Sequence, residues 1–231
     1  MATKNMPNHT LFVWDLHGTL EKGNENAVIQ ISNQALEERG HAVRFKDGDA
    51  LRLYGKHWYE YFADVLPELA HEEHIELQQR SFAISDESTE LIATHMQPAV
   101  HAHEVLAAIK ANGCEQILIS NTIPSTIPLF LKALGMEQFF NERNAFSVSA
   151  HAKDASRNKT HVLEEFLKRK HFEKIVVIGD SASDIDLARH VGGVAYLYAH
   201  EGYPFRAQNG DYYIHDLQEI LKELPTVDGL A

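Results

Sequence analysis

The sequence has one cysteine, few cationic side chains and no long apolar run, and each shortage excludes a class of protein. Cys114 is the single thiol in 231 residues, so no disulfide can form within the chain, and a reducing compartment is expected. Lys and Arg number 21 against 33 Asp and Glu, a net charge of -12, which disfavours nucleic-acid binding because that function usually needs a basic surface. No stretch approaches the roughly 20 apolar residues of a membrane-spanning helix.

The same features set expectations about compartment and partners. The opening residues, MATKNMPNHT, lack the basic-then-apolar order of a secretory signal, so we expect a cytoplasmic protein. We expect no nucleic-acid or membrane partner, and a monomer or homodimer. A negative net charge still allows a small anionic substrate, because local fields decide such binding.

The order of the apolar runs predicts an α/β fold. Residues 11–14, LFVW, have the composition of a buried strand, and from residue 98 apolar strands alternate with amphipathic helices. Such alternation is typical of a Rossmann-like parallel sheet with helices on both faces. Between these regions only helical patterns occur, broken near Gly55 and Pro67. We therefore predict a core of residues 1–21 and 98–231, with an inserted all-helical cap domain of residues 22–97.

Polar residues follow the predicted strand ends. An insert placed after the first strand would sit over the carboxyl ends of the strands, where open parallel sheets bind their ligands. Three carboxylates, a lysine, a hydroxyl–amide pair and a histidine occur at or near these ends: Asp15, His17, Ser120, Asn121, Lys159, Asp180 and Asp184.

These residue types suit phosphoryl chemistry. Carboxylates at one sheet edge repel each other unless a cation lies among them, and Mg²⁺ prefers such oxygen ligands. Asp180 and Asp184 would straddle the start of a helix near Ser183 and converge on one ion. Mg²⁺, Lys159, a hydroxyl and backbone amides could together cradle a phosphoryl group. Asp15 could then attack phosphorus and form an aspartyl phosphate. Each residue alone could be a turn or cap, but their joint order favours the functional interpretation.

The sequence resembles the haloacid dehalogenase-like superfamily in four places. Residues 15–20, DLHGTL, resemble its first motif, DxDGT[LV], and residues 179–184, GDSASD, resemble its fourth, GDSxxD. Ser120-Asn121 and Lys159 are similar to the second and third motifs. The helical insert resembles the C1 cap of this superfamily, and residues 211–217, DYYIHDL, resemble the ending of its phosphoglycolate-phosphatase-like members.

The resemblance implies a Mg²⁺-dependent phosphatase that acts on a small phosphorylated metabolite. It implies that Asp15 is the nucleophile and a metal ligand, and that Asp180 and Asp184 bind or orient the metal. Lys159 would steady the nucleophile and the phosphate charge. Three further residues would hold the transferring phosphoryl group: Thr19, Ser120 and Asn121.

One position departs from the motif, because His17 stands where phosphatases of the superfamily usually have aspartate. The resemblance implies that this residue exchanges protons with the leaving group and with water, and that its backbone carbonyl contacts the metal. Histidine can do such acid–base work, and Mg²⁺ and Lys159 would be expected to lower its pKa.

Two alternatives remain open at this stage. The first is phosphonoacetaldehyde-hydrolase-like cleavage of a C–P bond, in which Lys56 of the cap would form a Schiff base. Lys56 lies in the Gly55-Lys56-His57 break, which also resembles the cap loop that selects substrates in this superfamily. The second is a weakly active or inactive phosphate-binding protein, with His17 as the sign of the lost activity.

Overall fold

The computed structural model describes residues 10–46, 48–54, 56–122, 124–148 and 158–225. The chain forms two units. We call the first the core unit, formed by the segments up to Lys22 and from Pro98 onward, and the second the helical unit, Gly23–Gln97.

The described residues contain eight strands and nine α-helices. The strands are β1 (Thr10–Trp14), β2 (Glu21–Lys22), β3 (Gln97–Pro98), β4 (Glu115–Ser120), β5 (Ala145–Ser147), β6 (Lys174–Gly179), β7 (Val194–Tyr198) and β8 (Tyr212–Ile214). The helices are α1 (Asn24–Glu38), α2 (Asp49–Leu53), α3 (Trp58–Val65), α4 (His71–Glu87), α5 (Thr89–His95), α6 (Ala102–Ala111), α7 (Ile127–Ala133), α8 (Lys159–Leu167) and α9 (Ala182–His190).

Six strands of the core unit form one parallel sheet in the order β5-β4-β1-β6-β7-β8. Strand β1 is central: its Val13 is in register with Ile117 of β4 and Val177 of β6. All five residues of β1 are buried, as expected for a parallel strand that is covered on both faces. The predicted Rossmann-like α/β fold is thus confirmed.

The two faces of the sheet pack against different helices. Leu11 and Val13 of β1 belong to an apolar cluster that includes Val162 of α8 and Ile185 of α9. Because successive side chains of a strand point to opposite faces, Phe12 of β1 and its register partner Gln116 of β4 face the other side. There Gln116 Nε2 donates to the carbonyl of Leu106 in α6 over 3.1 Å. Helices thus pack on both faces of the sheet.

The helical unit has its own packing. The apolar residues Val28, Ile31, Ala35 and Leu36 recur at the spacing that predicts this helix, and the last three of them are buried in α1. The indole Nε1 of Trp58 at the start of α3 donates a hydrogen bond to Ser32 Oγ of α1 over 2.8 Å. No helix among the described residues is long and apolar enough to span a membrane.

Two helical segments of the core unit contain 3-10 helix. The 3-10 turn Pro124–Thr126 leads into α7, which is α-helical from Ile127. The segment Leu217–Glu223 is 3-10 throughout. Periodicity detects a helical face but separates these two helix types poorly at such lengths.

Two glycines of the helical unit allow a matched test of packing. Gly23 and Gly48 precede α1 and α2 with φ of 98° and 92°. A Cβ on Gly23 would lie 2.2 Å from the carbonyl oxygen of His95, whereas one on Gly48 meets nothing within 4 Å. We expect both alanine variants to lose about 1–2 kcal/mol of unfolding free energy from the left-handed backbone. Gly23→Ala should lose about 1–3 kcal/mol more from the overlap. Urea unfolding measures both, and equal losses would contradict the packing described.

Candidate active site

Three neighbouring strands carry the polar residues at one edge of the core sheet. Asp15 directly follows β1, and its backbone N–H donates to the carbonyl of Ile178 in β6 over 2.9 Å. Asp180 directly follows β6, and Ser120 is the last residue of β4. The sheet thus brings together residues that are more than a hundred positions apart in sequence.

Three carboxylates converge at this edge. Oxygens of Asp15, Asp180 and Asp184 all lie within 4.8 Å of one another, and the three residues are only 8%, 2% and 3% exposed. Asp184 is placed by the first turn of α9, where Ser181 caps the helix. The N–H and Oγ of Ser181 donate to Asp184 Oδ2 over 3.2 and 2.6 Å.

Gly179 is required for the close approach of α9 to the strand end. A Cβ at this position would lie 2.1 Å from Cγ of Asp184. Any side chain here would therefore displace the third carboxylate. This contact gives a physical reason for the glycine that opens the GDSASD segment.

Two cations partly balance the three acids. Lys159, the first residue of α8, is 7% exposed, and its Nζ donates to Asp15 Oδ1 and to Asp184 Oδ1, each over 2.7 Å. Arg206 donates to Asp180 Oδ2 over 2.6 Å. The five groups together still carry one net negative charge when all are ionised.

The pKa values show the same shortage of positive charge. The pKa of Asp15 is raised to about 7, chiefly by burial and also by the charges of Asp184 and Asp180, while Lys159 opposes the shift. Burial also raises the pKa of Asp180, against the opposing charge of Arg206. For Lys159, burial alone would lower the pKa, but Asp15 and Asp184 raise it above its ordinary value. A cluster of buried oxygen ligands that is short of positive charge fits a hard divalent cation.

Two buried hydroxyls, that of Ser120 at the end of β4 and that of Thr19 in the turn after β1, have no hydrogen-bond partner among the described residues. Thr19 and Ser120 are both 0% exposed. Such groups are rare in folded proteins, and each costs about 1–3 kcal/mol. Each hydroxyl can donate to a ligand oxygen. Asn121, the next residue after Ser120, is exposed.

His17 is bonded to a residue that the motif comparison did not include. Its Nδ1 lies 2.9 Å from Oε1 of Glu21, and its ring meets Phe130 edge-on at 5.5 Å between centroids. Burial alone would lower the pKa of His17, but the hydrogen bond and charge of Glu21 raise it above its ordinary value, with Asp15 adding to the effect. The expected lowering is not found among the protein's own charges, because that expectation omitted Glu21.

Lys56 lies in the helical unit. It is exposed, and its backbone N–H donates to the carbonyl of Leu53 over 3.0 Å. Gly55, which was part of the same predicted break, lies outside the described residues. The predicted roles of Lys56 stay predictions.

Sequence reasoning missed two contributors to this site. Glu21 could have been noticed from its position four residues after His17, although the segment is not helical. Arg206 lies in the segment between β7 and β8, and no motif marks it.

A comparison with sequence families gives the family of the chain. The model of the haloacid dehalogenase-like hydrolase family matches residues 9–192, a range that contains Asp15, Lys159, Asp180 and Asp184. The chain belongs to the haloacid dehalogenase-like hydrolases. No curated protein matches the sequence significantly.

Solved structures share the fold at low sequence identity. A haloacid dehalogenase-like hydrolase from Streptococcus pneumoniae is 19% identical with a TM-score of 0.68, over 95% of this chain and 99% of its own. A predicted phosphoglycolate phosphatase from Haemophilus somnus is 17% identical with a TM-score of 0.69, over 95% and 99%. A family hydrolase from Deinococcus radiodurans, solved with bound phosphate and sodium, is 17% identical with a TM-score of 0.65, over 94% and 95%. At these identities the likeness shows the fold alone.

The bridge made by Lys159 can be tested through stability. Lys159→Met leaves two buried carboxylates without their shared cation, so we expect a loss of about 3–5 kcal/mol of unfolding free energy. Lys168→Met, an exposed change at the end of the same helix, should cost less than about 0.5 kcal/mol. Urea unfolding in EDTA measures both, and similar losses in the two variants would contradict the bridge.

Proposed function

We propose that this hydrolase is a Mg²⁺-dependent phosphatase of a small phosphorylated metabolite, acting through an aspartyl phosphate on Asp15. The observation that carries the proposal is the buried carboxylate cluster at the strand ends, with Lys159 bridging Asp15 and Asp184. The unpartnered hydroxyls of Thr19 and Ser120 at the same edge support it. They offer donors to phosphoryl oxygens, and the cluster offers a nucleophile and metal ligands.

The metal would be held by Asp15, Asp180 and Asp184, with the backbone carbonyl of His17 as the further ligand that the motif implies. When bound, Mg²⁺ supplies positive charge that neutralises the phosphoryl oxygens during transfer. Lys159 supplies a second, fixed positive charge and orients Asp15 through its Oδ1. Arg206 holds Asp180 from the other side of the cluster.

The protein's own groups would carry the two chemical steps. A carboxylate oxygen of Asp15 attacks phosphorus while the bond to the leaving oxygen breaks, and His17 gives that oxygen a proton. Water then attacks the phosphorus of the aspartyl phosphate, and His17 takes a proton from it, which restores Asp15 and releases phosphate. Thr19, Ser120 and Asn121 would hold the phosphoryl group during both steps.

The proposed substrate class rests on two further arguments. Structural neighbours include proteins described as phosphatases and one with bound phosphate. We also propose that the helical unit serves as a cap that excludes bulk water and selects small molecules, with Lys56 in its selecting loop. No observation on the described residues favours C–P bond cleavage. An inactive phosphate binder would have no reason to keep three poorly compensated buried acids.

Removing the nucleophile is the first test. We expect Asp15→Asn to lower Mg²⁺-dependent hydrolysis of 4-nitrophenyl phosphate on the order of 10³-fold or more, because an amide cannot form the acyl phosphate. The matched control is Asp186→Asn, an exposed change on α9, which should keep wild-type turnover. Substantial turnover by Asp15→Asn would exclude this mechanism.

Metal binding can be tested without any substrate. Mg²⁺ at about 100 times its dissociation constant stabilises a protein by about 2.7 kcal/mol, so we expect EDTA-treated protein to gain roughly 5–10 °C in Tm. Asp184→Asn should lose most of this gain, whereas Asp186→Asn should keep it. Thermal unfolding monitored by circular dichroism gives the answer. An unchanged Tm in the wild type would show that the cluster does not bind Mg²⁺.

A further inference from the structure

The pairing of His17 with Glu21 is the feature of the site that the family motif does not explain. Oε1 of Glu21 lies 2.9 Å from His17 Nδ1 and also accepts the backbone N–H of Gly18 over 3.3 Å. Phe130 meets the imidazole ring edge-on. The ring is thus held by a carboxylate at one nitrogen and by an aromatic contact.

Burial of the Glu21 carboxylate at this position costs folding free energy. It is 1% exposed, and its second oxygen, Oε2, is buried without a hydrogen-bond partner among the described residues. A buried carboxylate with an unsatisfied oxygen is destabilising. An apolar side chain could fill the same space at lower cost, so the contact with His17 needs an explanation beyond packing.

The backbone of Glu21 is itself anchored. Its carbonyl oxygen lies 3.0 Å from Nε2 of His200, a buried residue just after β7. A carbonyl can only accept, so this Nε2 donates. The other ring nitrogen of His200, Nδ1, is paired with the hydroxyl of Tyr198 over 3.0 Å. The position of Glu21 is therefore tied to the end of a core strand.

We propose that Glu21 is a positioning residue for His17, which holds the proton on Nδ1 and leaves Nε2 as the nitrogen that exchanges protons with substrate and water. A carboxylate bonded to one ring nitrogen fixes the tautomer and stabilises the imidazolium. Nε2 of His17 has no protein hydrogen bond among the described residues, and the side chain is 24% exposed. The inference rests on the proposed phosphatase function for its chemical consequence.

The proton balance of the step is simple. As the P–O bond breaks, the proton on Nε2 of the imidazolium moves to the leaving oxygen, and a neutral ring remains with its Nδ1–H bonded to Glu21. In the second step Nε2 takes one proton from the attacking water, and the imidazolium is restored. Glu21 neither gains nor loses a proton.

Kinetics with two leaving groups separate positioning from a merely structural role. Alkyl phosphates such as glycerol phosphate need a proton on the leaving oxygen, whereas 4-nitrophenyl phosphate has a good leaving group. We expect Glu21→Leu to lower kcat for glycerol phosphate about 100-fold and for 4-nitrophenyl phosphate less than about 3-fold, with KM nearly unchanged. Glu21→Gln keeps an acceptor for Nδ1–H and should recover part of the loss. Glu137→Gln, an exposed change in the core unit, is the control.

Coupling between the two residues gives a second readout. His17→Gln should show the same dependence on the leaving group, and the double variant with Glu21→Leu should lose little more than His17→Gln alone. Equal losses for both substrates, or additive losses in the double variant, would overturn the proposal in favour of a structural role.

The tautomer of His17 can be measured without any turnover. Nitrogen-15 NMR at alkaline pH, with His17→Gln to assign the signal among the 15 histidines, should show the proton on Nδ1 in the wild type and in Glu21→Gln. Glu21→Leu should shift it toward Nε2. An Nε2–H tautomer in the wild type overturns the positioning role even if the enzyme is active. If the wild type has the Nδ1–H tautomer but turns over no phosphate ester, the proposed phosphatase function is contradicted instead.

Discussion

The ammonium of Lys159 is the interaction on which this site depends. It reaches from the first turn of α8 to Asp15 after β1 and to Asp184 in α9, so it ties three elements of the core unit at one buried point. Ion pairs of this kind gain little net stability, because desolvation offsets their attraction, but they are costly to break. The main effect of the bridge is that it holds mutually repelling carboxylates close together. A protein with no use for the cluster could replace it with apolar side chains.

The shortage of charge and the shortage of hydrogen bonds at this edge point to the same kind of ligand. The carboxylates lack one positive charge even with Lys159 and Arg206 present. Two buried hydroxyls, those of Thr19 and Ser120, have no hydrogen-bond partner in the part of the chain that the structure describes. A divalent cation would supply the missing positive charge, and the oxygens of a phosphoryl group would accept hydrogen bonds from the two hydroxyls. The family motif has an acid at position 17. In our proposal His17 exchanges protons in place of that acid, and the carboxylate of Glu21 is hydrogen-bonded to Nδ1 of His17.

The sequence predicted the fold and the members of the cluster because both follow from local signals. Apolar runs that end in Asp15 and Asp180 mark the strand ends, and a parallel sheet brings those ends together. Arg206 and Glu21 were not predicted, because their partners become visible only when the segments fold against each other. The 3-10 form of Leu217–Glu223 could not be predicted, since apolar periodicity separates short 3-10 and α-helices poorly. The role of Lys56 depends on surroundings that no motif specifies.

The central claim is that Asp15 becomes phosphorylated, and chemical trapping tests it most directly. Borohydride reduces an acyl phosphate to an alcohol, so an aspartyl phosphate would be converted to homoserine. The protein should be mixed with Mg²⁺ and a phosphate ester that it turns over, quenched during turnover, reduced and analysed by peptide mass spectrometry. The account predicts homoserine at position 15, dependent on substrate and Mg²⁺. Turnover with an unmodified Asp15, or trapping at another residue, would contradict it.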